Sequence, residues 1–164
     1  MDGTCKRRRR GSRGQTLVEF ALGLPLIILL TLGMIDLARA VYYYNTLSDI
    51  ARDGARFGIV LTDPGWETIY GQNPWTVPGN QPGTTPYIMR DYVGTNTIVG
   101  NVAKRAGVLD ASQTKVTITV TGTPDAHLRL PLTVKVEYPF TPSLLYLLGG
   151  QTFNLMATSM MRAQ

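Results

Sequence analysis

The chain has 164 residues, of which 44% are hydrophobic and only 16% are charged, so its composition suits one folded domain of ordinary size. This length excludes a two-domain enzyme. The formal net charge is +5, a value that by itself favours nucleic-acid binding. The charges are concentrated, however: residues 1–14 hold six basic groups and one acidic group, and the rest of the chain has ten of each.

A body with no net charge gains little affinity from neutralising phosphates, so we do not expect nucleic acid to be a partner. Cys5 is the only cysteine and lies in the basic tail, which excludes an intramolecular disulfide and a cysteine-based metal site. His127 is the only histidine and is expected in an exposed turn. With no phosphate-binding glycine loop and no clustered carboxylates, the sequence predicts a non-enzyme without metal or cofactor.

An apolar stretch follows the basic tail at residues 17–35 (LVEFALGLPLIILLTLGMI), with Glu19 as its only charged residue. As a helix it would be about 28 Å long, close to the roughly 30 Å hydrocarbon thickness of a bilayer. We therefore expect a transmembrane helix. Because the arginines precede it, the positive-inside rule puts the amino terminus in the cytoplasm and the residues after about position 40 outside the membrane.

A cleaved secretory signal is the alternative interpretation of this stretch. Ala38-Arg39-Ala40 has the small-x-small form that signal peptidase recognises, and a basic and an apolar region precede it. Against cleavage, the apolar region is long, Asp36 and Arg39 crowd the bond, and the helical pattern continues through it. We therefore expect the segment to be retained.

One helix is predicted from residue 15 to about residue 57, because the helical pattern has no stop signal after the apolar stretch. Residues 15–40 are its expected transmembrane part, and its outer part belongs to an extracytoplasmic head formed by residues 41–164. Near the end of the helix one face is lined by small residues, which are Ala51, Gly54, Ala55 and Gly58. Such a face lets another element approach the helix backbone closely.

A loop rich in proline and glycine is predicted for residues 61–86, which include both tryptophans, Trp66 and Trp75. Loops of this length in compact domains are usually binding or packing loops. Trp66 and Trp75 are therefore candidates for a contact surface, and capping of the domain core is the other interpretation of both.

Two short helices and three strands are predicted for the rest of the chain. The helices are expected at residues 87–93 and 97–106, and alternating apolar residues predict strands at residues 115–121, 132–138 and 153–161. An antiparallel sheet with one solvent-exposed face must bury its other, apolar face against another element. The small-residue face of the long helix is expected to pack on that apolar face. The predicted fold is α+β and pilin-like, a long amino-terminal helix packed on a small antiparallel sheet with short extra helices.

The junction between tail and apolar stretch, residues 13–20 (RGQTLVEF), carries the most specific motif. Gly14 ends the basic leader, and the carboxylate of Glu19 lies inside the predicted membrane helix. Such a group costs roughly 2.5–3.5 kcal/mol at a helix centre on insertion scales, so it usually pairs with another group. The motif resembles a class III, prepilin-type leader, which implies cleavage after Gly14 by a prepilin peptidase on the cytoplasmic side. The new amino terminus at Gln15 would supply a positive partner for Glu19.

Residues 14–58 together resemble the amino-terminal signature of the TadE-like family, in which a G-Q-x-x-V-E-F-A-L start joins a central proline, here Pro25, and an A-R-x-G-A-R-like helix end, here residues 51–56. The segment VKVEYPFTPSLLYLLGG and the last strand are similar to the family's carboxyl half. The resemblance implies a minor pilin or pseudopilin of the tight-adherence (Tad) pilus and secretion machinery. Its partners would be the membrane, other pilins and an inner-membrane assembly platform powered by a separate ATPase.

Pro25 and Glu19 each have a second interpretation. Pro25 removes one intrahelical hydrogen bond and is expected to kink the helix, which suits a segment that leaves lipid for a filament core. Membrane helices also tolerate proline without such a role. Glu19 lies near a helix end, from which its carboxylate could reach the interface and need no partner.

Two functions from different classes fit these features. In the first, the protein is a structural subunit whose helix packs with those of like subunits. In the second, residues 17–35 are a permanent signal anchor, and the loop with Trp66 and Trp75 is the ligand site of an extracytoplasmic binding module. The fate of the leader distinguishes these two functions, because a permanent anchor keeps its basic leader and a pilin loses it before leaving the membrane.

The intact mass of protein extracted from the membranes of its own host tests the leader. We expect a chain that begins at Gln15 and has no net charge, because the lost segment carries all of the +5. A chain that begins at Val41 would instead indicate a secreted domain. A chain that keeps residues 1–14 would indicate a permanent anchor.

Overall fold

A single helix, α1 (Ser12–Leu61), forms the amino-terminal third of the protein and continues without a break through Pro25. At 1.5 Å per residue it is about 75 Å long. It begins earlier than the predicted residue 15 and ends later than the predicted residue 57. The extra turn at its carboxyl end is held by the core, because Leu61 is buried there.

The structure, a computed structural model, describes residues 12–61, 75, 77–120, 131–147 and 149–162. The leader up to residue 11, most of the tryptophan loop with Trp66, and the segment that contains His127 lie outside these residues.

After α1, the described residues form four strands and two further α-helices. Their order is β1 (Tyr87–Ile88), α2 (Ile98–Arg105), β2 (Lys115–Val120), β3 (Leu132–Phe140), α3 (Ser143–Leu147) and β4 (Phe153–Met161). The strands form one antiparallel sheet in the order β1-β2-β3-β4. The α+β fold, with the long helix packed on the sheet, is confirmed.

The predicted helix at residues 87–93 is wrong in part. Tyr87 and Ile88 pair with the edge of β2 as a short strand, and only Met89–Tyr92 form a single 3-10 turn. The free edge of β2 offers backbone partners to the incoming chain. Gly94, which has a φ of +82°, then ends the turn in the left-handed conformation that favours glycine.

The face of the sheet that meets α1 shows the alternation that the sequence predicts. Val116 lies opposite Val136, and Ile118 lies opposite Val134, so apolar side chains from β2 and β3 stand on one face. These four side chains are completely buried, as is Leu132 at the start of β3. Ala157 extends the buried row into β4.

The small residues of α1 bring its backbone directly against this face and against α2. Ala51 and Ala55 are completely buried. A Cβ atom at Gly54 would lie 2.7 Å from Cγ2 of Val102 in α2, and one at Gly58 would overlap Cδ2 of Leu132. The close approach predicted from the small-residue face is therefore present, and it leaves no room for larger side chains.

Helix α2 is fixed in place by polar contacts at both of its ends. The side chain of Thr97 caps it by accepting a hydrogen bond from the Gly100 N–H at 3.0 Å, and Oδ1 of the buried Asn80 accepts one from the Ile98 N–H at 2.7 Å. At the other end, Arg105 Nη1 lies 2.8 Å from Asp53 Oδ2 of α1. These contacts hold α2 against the small-residue face.

We expect Gly58→Leu to destabilise the head by about 1–3 kcal/mol, the usual cost of overpacking a filled core. Gly33→Leu is the matched control, because a Cβ there meets nothing within 4 Å and the gain in helix propensity is the same. Thermal unfolding of the full chain in detergent, followed by circular dichroism, measures both. Equal unfolding of the two variants would contradict the close approach at Gly58.

Candidate functional site

The apolar stretch of α1, residues 17–35, is a surface that the other residues described by the structure leave largely uncovered. Among the residues that the structure describes, α1 is the helix long and apolar enough to cross a membrane, and its most apolar part is not buried. Leu17 and Leu22, for example, are 71% and 75% exposed. The core helix of a soluble protein would be mostly buried, so this surface needs lipid or other helices around it.

Gly14, Gln15 and Glu19 lie together in the first turns of this exposed helix. Gln15 Nε2 donates a hydrogen bond to Glu19 Oε1 at 3.2 Å, because residues four apart share one helix face. The space around Gly14 is open, since a Cβ there would meet nothing within 4 Å. Gly14 is exposed and lies near the beginning of α1, where helices fray.

Pro25 lies in the middle of the exposed part of α1. It has no N–H to donate, so the carbonyl of Ala21 loses its usual helical partner. Farther along the same stretch, the Thr31 hydroxyl donates back to the carbonyls of Ile27 and Ile28. This bonding satisfies a polar group inside the helix, as a hydrocarbon environment requires.

The head joins α1 at Asp36, directly after the apolar stretch. Asp36 is buried, and its Oδ2 accepts a hydrogen bond from the Leu144 N–H at 2.8 Å. Arg39 Nη1 lies 3.8 Å from Asp36 Oδ1 and donates to Ser143 Oγ at 3.0 Å. This junction is not predicted from the sequence, although a carboxylate at the end of an apolar helix indicates a group in need of a partner.

An aromatic cluster continues the junction on the next turn of α1. The Tyr43 ring lies 5.5 Å from the Tyr138 ring and 5.8 Å from the Phe140 ring, both in β3. The Arg39 guanidinium lies 6.0 Å from the centres of the Tyr43 and Phe140 rings. Burial among these rings raises the pKa of Tyr138 above its ordinary value. The carboxyl end of β3 is thereby fixed to α1 just beyond the apolar stretch.

The structure describes one of the two tryptophans of the predicted contact loop. Trp75 is half-buried and packs against the hydrophobic core of the head, and Trp66 lies outside the described residues. In the described part of the chain, no three His, Cys, Asp or Glu side chains are grouped in a way that could hold a metal ion.

A comparison with protein-family models matches residues 14–56 to the model described as TadE-like protein. This segment of the chain is similar to the TadE-like family. The match covers Gly14, Glu19, Pro25 and the junction residues Asp36 and Arg39, and it confirms the predicted resemblance over residues 14–56. The predicted similarity of the carboxyl half lies outside the match. It implies a Tad pilus-associated protein whose amino-terminal apolar helix suggests a membrane anchor. Neither the search of curated proteins nor that of solved structures gave a match.

Substitutions at Asp36 test the junction of the TadE-like helix with the head. Asp36→Asn keeps an oxygen acceptor for the Leu144 N–H, whereas Asp36→Leu removes it. We expect the Leu144 amide to exchange its hydrogen at least about tenfold faster in Asp36→Leu than in the unaltered protein, with Asp36→Asn between them. Unchanged exchange in Asp36→Leu would contradict the contact.

Proposed function

We propose that the protein is a minor pilin or pseudopilin subunit of a Tad-type pilus assembly and secretion machinery. It acts as a structural subunit rather than an enzyme. Before assembly, α1 holds it in the inner membrane, with the amino terminus in the cytoplasm and the head outside. Prepilin peptidase removes the leader after Gly14, and the mature subunit joins other pilin subunits at an inner-membrane assembly platform.

One observation carries this proposal: the apolar stretch of α1, residues 17–35, is mostly exposed and contains a single carboxylate, that of Glu19. The uncovered face supports packing against lipid first and against like helices later. A simple anchor has no use for Glu19, because the carboxylate raises the cost of insertion. In a filament it would have a partner, since each cleaved subunit brings a charged amino group at Gln15.

The contact between Gln15 and Glu19 supports this pairing. The 3.2 Å hydrogen bond puts the side chain of residue 15 beside the carboxylate. After cleavage, the α-amino group of Gln15 would lie on the same turn, at the exposed end of the helix. An ammonium group there can pair with Glu19 of its own chain or of a neighbouring subunit, and we propose the neighbouring subunit.

The variant Glu19→Leu tests the proposal. It removes the costly group from the span, so membrane insertion should be unchanged or improved. Cleavage after Gly14 should also persist, because the resemblance puts the main requirement of the peptidase on the glycine. Assembly should fail, because the ammonium group of Gln15 is left buried without a partner, at a cost of about 3–5 kcal/mol. We expect at least about a tenfold loss of the subunit from sheared surface filaments.

Val18→Leu is the matched control, because it alters the neighbouring exposed position and keeps the span apolar. Its incorporation into filaments should equal that of the unaltered protein at matched membrane levels. If Glu19→Leu is also incorporated at that level, Glu19 only reaches the cytoplasmic interface and the proposed pairing is wrong.

A further inference from the structure

The turn between β3 and β4 is the end of the head closest to the apolar stretch of α1. Strand β3 begins at Leu132 beside Gly58 and ends at Phe140 beside Tyr43 and Arg39, so it runs back along α1 toward the apolar stretch. Strand β4 then returns in the opposite direction, with Phe153 opposite Phe140. The described residues between these strands, 141–147 with α3 and 149–152, therefore lie at the end of the sheet that is nearest the apolar stretch of α1.

The contacts of Asp36 and Arg39 set the height of α3 along the helix axis. Asp36 follows the last residue of the apolar stretch and binds the Leu144 N–H, and Arg39 binds Ser143. At 1.5 Å per residue, these two positions lie about 1.5 and 6 Å beyond residue 35. The headgroup layer of each leaflet is roughly 5–7 Å thick, so α3 begins at the height of that layer.

The exposed side chains of the segment between β3 and β4 are uncharged and include large aromatic and apolar ones beside polar Ser143, Gln151 and Thr152. Tyr146 of α3 is 77% exposed, Phe153 at the start of β4 is 49% exposed, and Leu37 on α1 is 67% exposed. No Asp, Glu, Lys or Arg occurs between Glu137 and Arg162 in the sequence. Tyrosine suits the interface between water and lipid because its ring is apolar and its hydroxyl is polar.

We infer that α3 is a second membrane contact, with Tyr146 seated among the headgroups of the outer leaflet. This inference rests on the proposed membrane-anchored state of α1. The occupant of the surface is lipid, because the surface continues the apolar stretch at the level where that stretch leaves the membrane. The Arg39 side chain, 46% exposed at the same level, suits the lipid phosphates. Two contacts on one bilayer would hold the head at a fixed tilt.

Depth-dependent quenching in phosphatidylcholine vesicles tests this contact with the full chain. A Cys5→Ser background allows a bimane probe at one introduced cysteine, either Tyr146→Cys or one of three controls on α1. Ile27→Cys lies in the span, Leu37→Cys lies just beyond it, and Val60→Cys lies about 36 Å beyond Asp36. All four native side chains are more than half exposed. The vesicles carry nitroxide either on the headgroup or on the acyl chain.

We expect headgroup nitroxide to quench the fluorescence of the probe at position 146 as strongly as that of the probe at position 37. The fluorescence of the probe at position 60 should not be quenched. Adding Asp36→Leu should reduce the quenching at 146 without changing that at 27, because α3 loses its tether. Quenching at 27 and 37 without quenching at 146 overturns the inference. Self-quenching of the probe at 146 in place of lipid quenching also overturns it, in favour of a second copy.

The probe at Ile27 separates this inference from the proposed function. If acyl-chain nitroxide does not quench it, the span is not in the membrane, and the anchored state itself is wrong. If it is quenched and 146 is not, the anchor stands and only the second contact is lost.

Discussion

The fold depends on the direct contact between the backbone of α1 and the apolar face that the sheet and α2 present. Gly54 and Gly58 allow this contact, because side chains from α2 and β3 occupy the space that a Cβ atom would need. The row of valine, isoleucine and leucine side chains on β2 and β3 would otherwise face water. Burial of this apolar area is the main favourable contribution to folding of the head.

Because of this contact, the two halves of α1 have different surroundings. The outer half of α1 is part of the head core, whereas its apolar stretch, residues 17–35, is mostly exposed. Because the helix is continuous from Ser12 to Leu61, the position of the span and the orientation of the head are mechanically coupled. The contacts of Asp36 and Arg39 with α3 add a second connection at the point where the environments meet.

One part of the candidate site can be predicted from the sequence, and the other part depends on contacts between residues far apart in the chain. Gly14, Gln15, Glu19 and Pro25 belong to a short linear motif, and a carboxylate within an apolar run is visible without any structure. The junction at Asp36 was missed because its partner, Leu144, is 108 positions away in the chain. That partner is moreover a backbone N–H, a group that every residue except proline has, so the residue type gives no indication of it. The pairing of Asp53 with Arg105 is hidden for the same reason of distance.

The sequence alone determined the long helix, the strands that carry clear alternation and the small-residue face, because each is a periodic pattern of local side-chain properties. It also determined the TadE-like motif. Only the tertiary structure decided that residues 87 and 88 join the sheet, because the edge of β2 offered backbone partners that override a local helical preference. It likewise decided that the turn after β3 meets α1 at Asp36. The direction and length of β3 are properties of strand pairing, and pairing depends on residues far apart in the chain.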